Sequence, residues 1–93
     1  MAVYLVTYDL KRGDGSHDYK DLYDAMDAYA NHKVLLSVRL IETSKGWKAL
    51  KDDLLRHMDP KDRIFVTELR KAQYGYRAMH GTTDWLAAHP PRD

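Results

Sequence analysis

The residue best placed to do chemistry is Asp9. It closes residues 2–9, AVYLVTYD, an apolar, aromatic-rich run of strand formers, and the glycine-bearing loop KRGDGS follows Leu10. A buried strand that ends in a carboxylate delivers that group to a loop rim, where ligands and reactive groups gather. The carboxylate could ligate a hard cation through oxygen. It could equally end the strand and accept hydrogen bonds from loop amides. Ser37 and Arg39 are the next candidates. Alternation puts them on one face of the second β region, and they are expected to share the face of Asp9 on a neighbouring strand. Arg39 could hold a phosphate there, or neutralise Asp9 as an ion pair that competes with metal binding. His17, near the Asp9 loop, is the one histidine placed for acid–base work. The five histidines of the chain form no zinc motif, so a zinc site is not expected.

Asp9 must be positioned by the first strand, whose two faces alternate. Val3, Leu5, Thr7 and Asp9 point one way, and Ala2, Tyr4, Val6 and Tyr8 the other. Both faces are largely apolar, which predicts a central strand covered on both sides. Gly13 and Gly15 fit the loop, and Asp14, Ser16 or Asp18 could cap the helix after it. Tyr19, Leu22, Met26 and Tyr29 recur at helical spacing and predict three to four turns ending near Asn31, with an acidic stripe of Asp18, Asp21, Asp24 and Asp27. Residues 32–43, HKVLLSVRLIET, are β, with a kink, a bulge or a tight reversal at Ser37. Thr43 or Ser44 could cap a second helix carrying Trp47, Leu50, Leu54 and Met58. Pro60 marks a turn, and residues 63–69, RIFVTEL, are the last strand.

The 93 residues make one domain, with a core over 2–70 and a tail over 71–93. The tail could add a short edge strand around Tyr74 and Tyr76, then one helical turn with Trp85 and Leu86, capped by Thr82 or Thr83. A net charge of +1 leaves no global electrostatic footprint for nucleic acid. The dispersed cations Lys11, Arg12, Arg39, Arg63, Arg70, Lys71 and Arg77 could collect near the strand ends, or stay scattered and solvated. The tyrosines could stack on bases, though most fall at core spacing. With no cysteine, a disulfide framework is excluded. No signal peptide or membrane span is visible, so a cytoplasmic location is expected.

Strand, helix, β region, helix, strand is the order of a ferredoxin-like βαββαβ sandwich if the β region is a hairpin: an α+β fold with two helices on one face of an antiparallel sheet. The other face is then too apolar to stay wet, and a homodimer is expected to bury it.

The segment VYLVTYDL ending in Asp9, the β region LLSVRLIET and HMDPKDRIFVTEL resemble the small CRISPR-associated subunit of spacer acquisition, over roughly residues 2 to 70. The VapD-type toxin ribonucleases share that fold. The resemblance implies a dimeric, metal-dependent endoribonuclease or nuclease, with Asp9 as catalytic residue and metal ligand. The two copies of Asp9 would face each other across the dimer and hold Mg²⁺ or Mn²⁺, which would activate a water. Ser37, Arg39, Lys11 and Arg12 would contact the nucleic acid. Lys11 and Arg12 match the basic residues that the family carries after its aspartate. The acidic opening of the first helix departs from the family, because carboxylates are poor neighbours for phosphates. The alternative is a non-catalytic dimeric module for nucleic-acid binding or assembly.

Overall fold

The computed structural model describes residues 1–12 and 19–93. Gly13 and Gly15, the capping candidates Asp14, Ser16 and Asp18, and His17 lie outside the described residues. The elements are β1 (Ala2–Asp9), α1 (Lys20–Asp27), β2 (Ala30–Leu35), β3 (Val38–Thr43), α2 (Trp47–Leu55), β4 (Arg63–Leu69) and α3 (Thr82–Ala88). The strands form one antiparallel sheet in the order β2-β3-β1-β4. This α+β arrangement is compatible with a ferredoxin-like fold. β1 lies inside the sheet, as its two apolar faces require.

Alternation along β1 sorts the core into two layers. Tyr4, Val6 and Tyr8 meet Leu22 and Met26 of α1, Leu50 and Leu54 of α2, and Ile41 of β3. Val3, with Leu5 beside it, packs with Val34, Leu40 and Leu86 on the opposite face. Each fully buried aliphatic side chain contributes about 1.5–3 kcal/mol, and Leu22, Met26, Leu50 and Leu54 place that gain beneath the two helices.

The structure departs from the sequence pattern in several places. α1 stops at Asp27, because the next residues join the sheet: Ala30 pairs with Glu42 and Asn31 with Ile41. α2 is entered from Gly46 rather than capped by Thr43 or Ser44. The Thr43 hydroxyl already accepts the Lys45 N–H at 3.2 Å, ahead of the helix. Similarly, Gly81 precedes α3 at φ +90, and the Thr82 hydroxyl turns back to donate to the Met79 carbonyl at 2.7 Å. Residues 32–43 resolve as a tight reversal: Leu35 pairs with Val38 across Leu36 and Ser37, and the register shifts between Lys33 and Leu35.

The tail holds no edge strand at Tyr74 and Tyr76, whose rings instead stack on each other at 6.2 Å in irregular chain. It returns across the open sheet face. The Met79 N–H donates to the Val34 carbonyl at 3.0 Å, and Leu86 is buried against β1, β2 and β3. The face expected to await a partner is therefore partly covered by the chain itself. None of the described helices is long and apolar enough to cross a membrane.

Ala72 sits at φ 60, where its Cβ crowds the backbone. Ala72→Gly is expected to raise stability by about 0.5–1 kcal/mol, read as a higher midpoint in urea with an unchanged slope.

Candidate functional site

One end of the sheet gathers the C-terminus of β1, the start of β4 and the β2–β3 reversal, because all neighbouring strands run antiparallel. Asp9 lies at this rim directly opposite Arg63, and Thr7 lies opposite Phe65. Residues directly opposite share a face. Asp9, Arg63, Thr7 and Phe65 thus share the face turned away from α1 and α2. Asp9 and Arg63 are both exposed. Among the described residues, no hydrogen bond or ion pair engages either side chain.

Arg39 is elsewhere, which corrects the expected placement. It lies opposite Val6, and Ile41 lies opposite Tyr4, so both belong to the helix face. Its guanidinium donates to Asp27 at 2.7 Å and to Asn31 at 2.9 Å, and lies over the Tyr23 ring at 5.7 Å. Burial opposes its charge. The Tyr8 hydroxyl and the Asp27 carboxylate outweigh that and raise its pKa above the ordinary value. Arg39 neither reaches a phosphate on the face of Asp9 nor neutralises Asp9. Alternation puts Arg39 and Ile41 on one side of β3. The register that ties this pair to Tyr4 and Val6 is a cross-strand property.

Ser37 lies in the reversal, and its carbonyl accepts the Tyr8 N–H at 3.1 Å, which extends the β1–β3 ladder to the rim. Lys11 is committed to the α2–β4 turn. Its ammonium is 3.1 Å from Asp59, and its backbone N–H donates to Asp62 at 2.8 Å. Arg12 lines a recess with Tyr19, Arg56 and Asp59. The Lys61 N–H and then the Lys11 ammonium hold the Asp59 carboxyl below the usual range.

Asp62 is the residue that sequence reasoning passed over. It is only 9% exposed. Its carboxylate accepts the Lys11 N–H, the Tyr19 hydroxyl at 2.7 Å and the Asp59 N–H at 2.8 Å. Burial opposes ionisation, but these three donors outweigh it and lower the pKa. One carboxylate thus ties the end of β1, the entry to α1 and the turn before β4. The local signal was an aspartate three residues after Asp59 in a proline turn. The Lys11 and Tyr19 partners, far away in sequence, left no local trace.

No model of a known protein family matches the chain.

Among the described residues the rim does not complete a metal site within one chain. Among the described residues no group of three His, Asp or Glu side chains could hold an ion. Asp9 offers a single carboxylate, and its cross-strand neighbour is the cation Arg63. The expected phosphate contacts do not converge either. Lys11 is turned to Asp59 and Arg39 to Asp27, and on the helix layer Lys45 and Arg56 serve Asp53.

What the rim does present is apolar surface. Phe65 is 65% exposed, Leu36 72% and Leu35 49%. Leu35 also lines a groove of about 400 Å³ that runs between the sheet and the tail, with Leu5, Val38, Leu69, Tyr74 and Tyr76. α3 covers the β2–β3 side of this face, while Arg63, Phe65 and Thr67 of β4 stay exposed.

Proposed function

We propose that the chain is a ferredoxin-like assembly module that works as a homodimer, joined through the part of the open sheet face that the tail leaves uncovered. The observation that carries this reading is Phe65, a large aromatic side chain standing 65% exposed on the open sheet face at its β4 edge, with Leu35 and Leu36 exposed at the opposite, β2 edge. Large apolar side chains exposed on a sheet face mark an interaction site, and a self-complementary face on a small domain is satisfied by a second copy. The strand order supports the ferredoxin-like description, and the likeness of residues 2 to 70 to the CRISPR-associated and VapD-type proteins supports the dimer. The pairing of Lys11, Arg39, Lys45 and Arg56 with carboxylates favours assembly over a phosphate-binding surface.

A second reading keeps the nuclease. It is favoured by Asp9, exposed and unengaged among the described residues, and it needs the Asp9 carboxylates of two chains to share Mg²⁺ or Mn²⁺. Incubation of the purified chain with single- and double-stranded RNA and DNA, with either cation, separates the two. An assembly module gives no cleavage that depends on Asp9. Cleavage that Asp9→Asn abolishes, in a variant whose circular dichroism is unchanged, overturns the assembly reading in favour of the nuclease.

A further inference from the structure

We propose that Asp9 takes its counter-ion from a second copy of the chain. Its partner is Arg63 of that copy, and the pair repeats reciprocally across the dimer. This inference rests on the homodimer reading above and deepens it.

Three observations carry it. Asp9 and Arg63 stand side by side on one sheet face, both exposed and both without an ion pair among the described residues. That sets them apart from Lys11, Arg39, Lys48 and Arg56, whose charges are met within the chain. An acid beside a base is also self-complementary under a two-fold axis. In an isologous interface, residue i meets j while j meets i, so one rotation makes two Asp9–Arg63 contacts at once. Finally, exposed Phe65 stands two residues from Arg63 on the same face of β4. Closing that apolar surface excludes water from the pairs and strengthens them relative to exposed surface pairs.

The same placement disfavours a shared divalent cation. Two Asp9 carboxylates brought together carry two Arg63 guanidinium groups with them. The four charges already cancel, so an added dication would find no net negative charge to neutralise.

Charge reversal in separate chains tests this. Asp9→Arg and Arg63→Asp alone each place like charges across the interface twice. Each is expected to weaken the dimer by at least roughly 30-fold in sedimentation velocity. An equimolar mixture of the two single variants should recover dimers, because a chain carrying Asp9→Arg meets a chain carrying Arg63→Asp with both contacts restored in sign. The double variant should recover as well. Rescue by the double variant without rescue by the mixture means that the pair forms within one chain, which overturns the inference. So does a wild-type dimer that tightens with Mg²⁺ and loosens with a chelator in an Asp9-dependent way. If a reversal variant fails to fold, Asp9→Asn, Arg63→Gln and their combination give the coupling instead. Additive losses overturn the inference, and a combined loss close to either single loss supports it. A wild-type chain that is monomeric throughout defeats the homodimer reading itself, an outcome distinct from all of these.

Discussion

Asp62→Ala is expected to destabilise the fold by about 3 kcal/mol, measured as a shift of the urea midpoint at neutral pH. The substitution removes a buried carboxylate and leaves three donors, the Lys11 N–H, the Asp59 N–H and the Tyr19 hydroxyl, without their acceptor. A lost partner costs more than a bond contributes, because the orphaned groups stay desolvated. The effect also has a pH signature. The native pKa of Asp62 is lowered, so the native state favours the ionised form more than the unfolded chain does. Its contribution is complete above the ordinary aspartate value of about 3.9 and is lost as pH falls from there through the native value. Wild type should therefore lose its advantage over Asp62→Ala below about pH 4. A difference in stability that stays constant through that range would show that the carboxylate's charge is not what holds the turn. Tyr19→Phe, which removes one donor and leaves the carboxylate two others, should cost clearly less.

The second large effect falls on association. Phe65→Glu is expected to weaken the proposed homodimer by at least about 100-fold, since it removes an exposed aromatic side chain and places charge on the proposed contact. The folded chain should barely notice. Phe65 is 65% exposed, and surface substitutions of that kind change stability by about 0.5 kcal/mol or less. A variant with wild-type thermal unfolding at low concentration and lost self-association would separate the two roles. Unchanged association would remove Phe65 from the interface.

The local part of this structure was readable from residue order. The alternation of Ala2 to Asp9 gave both faces of β1, and the spacing of Leu50 and Leu54 gave the buried stripe of α2. The reversal at Ser37 was one of three open choices, because short apolar β runs do not announce where they turn. α1 is shorter than its periodicity predicts, since Tyr29 keeps helical spacing and only pairing with β3 reveals that Ala30 and Asn31 belong to the sheet. Arg39 falls on the helix face, not the face of Asp9, for a related reason. Alternation fixes which residues of one strand share a side, while register decides which side that is relative to Asp9. The helical turn with Trp85 and Leu86 is present as α3, but the docking of the tail and the role of Asp62 depend on partners distant in sequence: Asp62 reaches Lys11 and Tyr19, and Met79 and Leu86 settle on β2 and its neighbours. Asp9 itself stands at the rim of β1, where the end of the apolar run predicts it. Its neighbour Arg63, which changes what that carboxylate can do, stood in the sequence only as one of several scattered cations.

Sedimentation equilibrium of the intact chain at micromolar concentration, free of divalent cations, tests the homodimer most directly. A self-associating open face gives a mass near twice 10.8 kDa that falls toward a single chain in Phe65→Glu. A wild-type mass of 10.8 kDa across that range, or a dimer that Phe65→Glu leaves intact, would contradict it.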